Sequence, residues 1–191
     1  WPALADKPFF PAVGDGAAAN LGAGGTSPET LILTVGTTGA LRIVVPGEPP
    51  VPPRGLWRYR VDRRHSLLGG ATTEGGSVFA SMIDTLRLEP KGLEDRLAAI
   101  EPDSHGLTIL PFFSGERSPG WVAEARAAIA GLTQATTPEQ IARASLESVA
   151  YRFAAIAELM KDSLGRATRV VACGGAMQSS ALWRQIAADA M

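Results

Sequence analysis

The sequence predicts an α/β or α+β fold with glycine turns at the ends of its strands. Strand-like and helix-like hydrophobic patterns alternate along the chain, and several strand patterns run directly into glycines. The 191 residues, 46% of them hydrophobic, are enough for one sizeable domain with a buried core. Because ligands bind at strand ends in such folds, the glycine turns are the first candidates for a functional site.

Several segments have the short aliphatic and β-branched pattern of strands. The first two, ETLILTVG and ALRIVV, are joined so tightly through GTTG that they predict a neighbouring pair. A proline-rich surface loop follows, and the next candidates are WRYRVD and HSLLGG. Near the end of the chain, RVVACGGAMQSSALW predicts a strand, a glycine turn and a helix that begins near Ser179.

The segments with helical spacing are SVFASMIDTL, GLEDRLAAI and the stretch that runs from TTPEQ to DSLG. The last of them has the clearest start. Thr137 is the expected N-cap, Pro138 takes the first helical position and Gln140 completes a capping box. We expect DSLG to end this helix.

Charge and cysteine content exclude several classes of protein. Basic and acidic residues nearly balance, at 18 and 19, and no Lys/Arg cluster interrupts the balance, so a nucleic acid or an anionic membrane is not expected as a partner. A single cysteine, Cys173, excludes an internal disulfide framework. The sequence has no signal-peptide pattern, and a cytoplasmic location is therefore expected.

Both ends of the sequence look interrupted. The chain opens on Trp1 rather than Met, and its last residues, from Leu182 onward, form an amphipathic pattern that no Gly or Pro ends. We expect the sequence to be part of a longer protein, incomplete at both ends.

The glycine turns can be interpreted chemically or structurally. Backbone N–H groups and two hydroxyls in GTTG could bind an anion, and a plain hairpin turn explains the same residues. In CGGAMQSS, two glycines would let a ring or a ribose lie against the backbone, and Ser179 could cap a helix or bind the ligand. The glycines of TEGGSVFASM could also reflect close packing between elements.

Asp15 lies among small residues in PAVGDGAAANLGAGG. A carboxylate at the start of a helix is held in its charged form by the helix dipole, and a charged, positioned carboxylate is what a general base requires. Its small neighbours would let a substrate come close. The structural alternative is that Asp15 only caps the helix.

Other catalytic motifs fit less well. Gly14, Gly16 and Ala19 match the dinucleotide pattern G-x-G-x-x-A, but a proline interrupts the segment before them and Gly22 breaks the helix after them. A Walker A motif and a G-x-S-x-G nucleophile elbow are absent from the sequence. Two scattered histidines and one cysteine do not suggest a zinc site.

The motifs follow one another in the order GDGAAANLGAG, GTTGALR, LLGGATTEGG, GLTILPFFSGERSPGW, AIAGLTQATTPEQIARASLESV and ACGGAMQSSALWRQIAAD. This order closely resembles the carboxyl half of the FGGY family of carbohydrate kinases, nearest its gluconokinase-like branch. The resemblance covers essentially the whole chain. The segment from Ala127 to Glu147 resembles the family's second signature and is the most specific part.

The resemblance implies an actin-like ATPase fold of the ribonuclease-H-like kind, in which two domains close on a sugar and ATP. It implies that residues 1–25 end the N-terminal half and carry the catalytic Asp, and that residues 26–191 are a truncated C-terminal, nucleotide-binding domain. The remainder of the N-terminal half, with an acidic Mg²⁺ site and most sugar-reading residues, would lie outside this sequence. No metal ligand is therefore assigned within this sequence. A homodimer is a candidate assembly of the whole protein.

Residue by residue, the resemblance implies that Asp15 is the base that deprotonates a sugar hydroxyl and that Gly16 lies beside it at the substrate. The residues matching ATP contacts are Gly36, Thr37 and Thr38 for the phosphates, Gly76 at a helix start, and Gly174, Gly175 and Ser179 near the adenosine. Thr38 stands where serine is commoner. The SGERSP loop is a family hallmark, and an internal Glu116–Arg117 ion pair is one explanation of it.

The resemblance implies an ATP-dependent kinase for gluconate or a related polyol or ketose, inactive as the isolated 191-residue chain. Two alternatives from other classes remain. A non-catalytic actin-like ATP-binding or scaffold domain would have a solvent-facing, unopposed Asp15. A dinucleotide-binding oxidoreductase would need a parallel sheet with residues 14–19 at a strand-to-helix turn.

Overall fold

A mixed β-sheet lies at the centre of the computed structural model, which describes residues 1–10, 12–48, 51–161 and 167–191. The strands are β1 (Thr30–Val35), β2 (Gly39–Pro46), β3 (Trp57–Arg60), β4 (His65–Thr72), β5 (Thr108–Leu110), β6 (Ala128–Ala130) and β7 (Arg169–Cys173). Five of them form one sheet in the order β3-β4-β2-β1-β7, while β5 and β6 pair separately. Strand β7 is parallel to β1, and the other pairs are antiparallel.

Helices cover the sheet on both faces. They are α1 (Asp15–Gly22), α2 (Gly76–Thr85), α3 (Leu93–Ala98), α4 (Pro138–Leu159), α5 (Gly175–Ser179) and α6 (Ala181–Ala190), after a short 3₁₀ turn at Pro2–Leu4. On one face, Leu33, Leu41 and Ile43 pack with Phe153 and Ile156 of α4 in the main core. On the other face, a smaller core forms around Ala17 of α1, Val44 and Leu67.

The period of the strands produces these two cores. Alternate side chains of a strand point to opposite faces, so Leu41 and Ile43 face α4 while Ala40, Arg42 and Val44 face the side of α1. Every β2 position from Gly39 to Val45 except Arg42 is buried. The sheet therefore brings one partly exposed cation to the α1 face.

The predicted elements are confirmed. The strands predicted from ETLILTVG and ALRIVV form the antiparallel pair β1 and β2. The capping box is present: Gln140 N donates to Thr137 Oγ1 at 3.2 Å, and Thr137 N donates to Gln140 Oε1 at 2.9 Å. The DSLG segment that was expected to end α4 lies outside the described residues, as do residues 49–50 of the proline-rich loop.

One helix start was predicted wrongly. Helix α5 begins at Gly175, and Ser179 is its last residue rather than its beginning. Ser180, with an extended backbone, interrupts the helix and caps α6, because its Oγ accepts a hydrogen bond from Trp183 N at 3.0 Å. The helix begins early because Gly174 turns the chain directly after β7, at a φ of 93°.

The dinucleotide alternative is not supported by this architecture. Residues 12–14 do not form a strand, so α1 lacks the strand-to-helix turn that the pattern requires. The sheet is mixed rather than parallel. In the described ranges, no helix is both long enough and apolar enough to span a membrane.

We predict that Gly174→Ala lowers the free energy of unfolding by about 1–3 kcal/mol, because a methyl group there would overlap the Val35 carbonyl oxygen at a φ that favours glycine. Gly175→Ala is the matched control, since its Cβ would meet no atom within 4 Å. The control should stay within about 0.5 kcal/mol of the parent in urea unfolding. Equal stability of the two variants would contradict this account of the turn.

Candidate active site

Three glycine turns meet at one end of the central sheet: the β1–β2 turn, the start of α2 and the turn after β7. Gly76 N donates a hydrogen bond to the Gly36 carbonyl at 2.7 Å. Ser77 holds the same turn, donating to the Thr37 carbonyl from its N at 3.3 Å and from its Oγ at 2.8 Å. The turn is therefore fixed through its carbonyl groups.

The residues predicted to contact ATP are brought close together with one exception. Gly174 lies directly against Val35, which precedes the β1–β2 turn, and a Cβ at Gly76 would lie 3.4 Å from the Cβ of Ala176 in α5. The side chains of Thr37 and Thr38 are exposed. Ser179 stands apart at the far end of α5, where its hydroxyl donates to the Ala176 carbonyl at 3.2 Å.

Asp15 is the first residue of α1, and Gly14 is the N-cap without any side-chain cap. Asp15 therefore lies one position inside the helix rather than at the N-cap. Its Oδ1 accepts a hydrogen bond from Gly16 N at 2.7 Å, and the residue is exposed. The carboxylate is held at the positive end of the helix and is open to a ligand.

Asp15 lies on the wall of a cavity of about 400 Å³, within the size range of small-molecule sites. The lining residues are Asp15, Gly16, Thr34, Thr38, Gly39, Ala40, Arg42, Trp57, Tyr59, Ala71 and Arg117. Asp15 and Thr38, the predicted base and a predicted phosphate contact, thus share one cavity.

An aromatic pair forms another wall of this cavity. The rings of Trp57 and Tyr59 stack with centroids 5.1 Å apart. A Cβ at Gly16 would lie 2.5 Å from Tyr59 Oη, so glycine is needed for this approach. Burial raises the pKa of Tyr59, Arg42 partly opposes the shift, and Asp15 adds to it. The phenol is therefore neutral at ordinary pH and can donate a hydrogen bond to a ligand.

The SGERSP loop is arranged differently from the sequence prediction. Glu116 forms its ion pair with Arg152 of α4, not with Arg117. Arg152 is half-buried, and this burial lowers its pKa. Instead, the Cζ atom of Arg117 lies 5.8 Å from the ring centroid of Trp121. Arg117 also lines the cavity that contains Asp15. The loop therefore contributes a cation to the candidate site.

Glu74 is a residue that the sequence analysis missed. Its buried carboxylate accepts a hydrogen bond from Ser114 N at 2.7 Å, and Ser77 Oγ shares its single proton between Glu74 Oε2, 2.9 Å away, and the Thr37 carbonyl, 2.8 Å away. Because Ser77 also holds Thr37, Glu74 connects the SGERSP loop to the β1–β2 turn. Only its position in TEGG, beside a predicted nucleotide contact, could have drawn attention to it.

Comparison with known proteins identifies the protein family. Residues 31–191 match the FGGY family of carbohydrate kinases, C-terminal domain. The chain is 32% identical over 201 residues to the gluconokinase of Bacillus subtilis (strain 168), covering 96% of this chain and 38% of the relative. It is 31% identical over 192 residues to a glycerol kinase of Corynebacterium efficiens, covering 97% of this chain and 38% of the relative.

Solved structures show the same likeness. The gluconate kinase from Lactobacillus acidophilus matches with a TM-score of 0.82 at 31% identity, over 92% of this chain and 36% of that one. The ligand-bound xylulose kinase from the same organism matches with a TM-score of 0.80 at 30% identity. These sugar kinases have the actin-like ATPase fold, so the predicted fold class is confirmed.

This chain corresponds to only part of each relative. The sequence spans about 38% of the length of these curated relatives, whereas the relatives cover nearly all of it. The family match includes every strand of the central sheet apart from the first residue of β1. The chain belongs to the FGGY family of carbohydrate kinases and carries that family's C-terminal domain over residues 31–191.

Proposed function

We propose that the protein containing this chain is an ATP-dependent kinase that transfers the γ-phosphoryl group of ATP to a hydroxyl of a sugar or sugar acid, with gluconate or a related polyol or ketose as acceptor. The observation that carries the proposal is the single cavity lined by both Asp15 and Thr38. The family membership of the chain supports the same reaction class.

In this proposal Asp15 is the general base. Its carboxylate is exposed to the cavity and held at the start of α1, where it can accept the proton of an attacking hydroxyl. Gly16 lines the substrate cavity beside the base, and its lack of a side chain lets Tyr59 Oη come close to the same place. The acceptor would lie between Asp15 and the β1–β2 turn.

The turn itself would receive the phosphates of ATP. Thr37 and Thr38 offer two hydroxyls, the carbonyls of Gly36 and Thr37 accept hydrogen bonds from the start of α2, and the Thr38 carbonyl accepts from Gly36 N within the turn. Gly76 places the N-terminus of α2 behind the turn, which favours negative charge. We assign Gly174, Gly175 and Ser179 to the adenosine end of the site.

Phosphoryl transfer asks the protein mainly to align the hydroxyl, the phosphorus and the leaving oxygen and to stabilise charge. Mg²⁺ enters the proposal as the counter-ion of ATP. Within the described ranges, no group of three or more His, Cys, Asp or Glu side chains could hold a metal ion. These residues therefore do not fit a metal site of their own, and no step is assigned to the ion.

The rest of the proposal follows from family membership. Residues 1–25 would end an N-terminal half, residues 26–191 would form the nucleotide-binding domain, and the N-terminal half would supply most sugar contacts. We also propose that the protein is cytoplasmic, where ATP is available, and that it forms a homodimer. The scaffold alternative is weakened because Asp15, although exposed, shares its cavity with Arg42, Arg117 and Tyr59.

We predict that Asp15→Asn, introduced into the full-length gene product, lowers kcat by about 10²–10⁴-fold because the amide cannot accept the proton. Stability should hardly change, since the residue is exposed and its amide oxygen can still accept from Gly16 N. The measurement is a coupled ADP-release assay with gluconate, xylulose, ribulose and glycerol. Asp6→Asn, an exposed carboxylate outside the cavity, is the control, and full activity of Asp15→Asn would exclude Asp15 as the base.

We also predict that the purified 191-residue chain does not phosphorylate any of these acceptors, because alignment of the two substrates needs the sugar contacts of the other half. It should keep weak ATP binding through the β1–β2 turn. Isothermal titration with ATP and the same coupled assay test both statements, with the full-length gene product as the positive control. Phosphorylation of any acceptor by the isolated chain would contradict the proposal that the other half of the protein is needed.

A further inference from the structure

We propose that Arg42 binds the carboxylate of a polyhydroxy-acid acceptor and so determines a preference for sugar acids over neutral polyols. This inference rests on the proposed function and adds a specificity-determining residue to it. Three observations carry it: the position of Arg42 in the cavity, its unsatisfied hydrogen-bonding groups and the charge of the cavity wall.

The position of Arg42 is fixed by its strand. Arg42 lies in the middle of β2, on the face covered by α1, and lines the same cavity as Asp15. A Cβ at Gly16 would lie 3.6 Å from Arg42 Nε, so the guanidinium is next to the residue that follows the proposed base. A Cβ at Gly69 would lie 3.2 Å from Arg42 Cγ, so the stem is closely packed against β4.

The guanidinium of Arg42 has donors to spare. Arginine carries five N–H donors, and here Nη1 donates to Thr34 Oγ1 at 3.3 Å. Nε is shielded from solvent and has no hydrogen-bond partner in the part of the chain that the structure describes. Arg42 as a whole is partly exposed and lines the cavity, so we infer that its remaining guanidinium donors are kept for a ligand bound there.

The charges around the cavity favour an anion. Among the residues that the structure describes, neither Arg42 nor Arg117 forms an ion pair with a carboxylate. The lining thus holds two guanidinium groups and one carboxylate, Asp15. A carboxylate on the acceptor accepts hydrogen bonds from guanidinium in a planar, bidentate, charge-assisted arrangement that a neutral polyol does not offer.

The cavity also has room for both ends of such a substrate. Its volume of about 400 Å³ exceeds what one carboxylate requires, so a chain of hydroxylated carbons can extend from Arg42 towards Asp15 and Thr38. The neutral phenol of Tyr59 can donate a hydrogen bond to a hydroxyl along the way. A phosphoryl group is the other anion that could reach Arg42, and the experiment separates the two.

The test compares Arg42→Gln, Arg42→Lys and the parent in the full-length gene product. D-Gluconate and D-glucitol are the probes, because they share chain length and differ in a carboxylate against a CH₂OH group. Titration calorimetry gives the Kd of each probe, and a coupled assay gives kcat/KM for each probe and the KM for ATP. Arg60→Gln on β3 is the control, since Arg60 is exposed, pairs with Glu48 and does not line the cavity.

We expect Arg42→Gln to weaken gluconate binding by about 10- to 100-fold, as for the loss of hydrogen bonds to a charged group. Arg42→Lys should lose less, because it keeps the charge but not the planar fork. Binding of glucitol and the KM for ATP should change by less than about threefold, within the effect of a neutral surface substitution. The melting temperature of each variant shows that it is folded, and the lysine variant remains informative if the glutamine variant is not.

An equal loss for gluconate and glucitol, or a rise confined to the KM for ATP, would overturn the proposal and assign Arg42 to the phosphoryl group or to structure. Unchanged gluconate binding in both variants would also overturn it. Failure of the proposed function gives a different result: the parent phosphorylates neither these probes nor xylulose, ribulose or glycerol. Gluconate binding that depends on Arg42 would then still support the assignment of this residue.

Discussion

The hydrogen bond from Gly76 N to the Gly36 carbonyl, 2.7 Å long, is the contact on which the candidate site depends. It joins the β1–β2 turn to the start of α2, and the hydrogen bonds of Ser77 to the Thr37 carbonyl strengthen the same junction. A Cβ at Gly76 would lie 2.9 Å from the Gly36 oxygen, so Gly76 could not carry a side chain without displacing backbone, whereas a Cβ at Gly36 would meet no atom within 4 Å. A rigid turn results, and rigidity is what positioning requires.

The two faces of the central sheet have different surroundings. One face packs against α4 and supplies most of the hydrophobic core, with Phe153 and Ile156 buried against the strands. The other face carries α1 and a smaller apolar cluster, which leaves space for the polar cavity between Asp15 and Arg42. The main hydrophobic core and the candidate site thus lie on opposite sides of the same strands, and β2 contributes alternate residues to each.

A chain of hydrogen bonds extends the site beyond the cavity. Glu74 accepts from the backbone of Ser114 and from the hydroxyl of Ser77, which in turn holds the β1–β2 turn. The SGERSP loop that brings Arg117 to the cavity is therefore connected to the turn proposed to hold phosphate. Hydrogen bonds to a carboxylate, partly shielded from water as those of Glu74 are, are stronger than neutral ones and favour a single arrangement.

The sequence by itself determined the strands of the central sheet, the capping box and the family, because hydrophobic period, cap residues and motif order are local properties of the chain. It also identified the glycine turns and Asp15. Only the tertiary structure decided that Glu116 pairs with Arg152, that Ser180 rather than Ser179 caps a helix, and that Arg42 meets Asp15 in one cavity. These contacts join residues whose spatial relation depends on sheet order and on backbone conformation, which residue type and spacing do not encode.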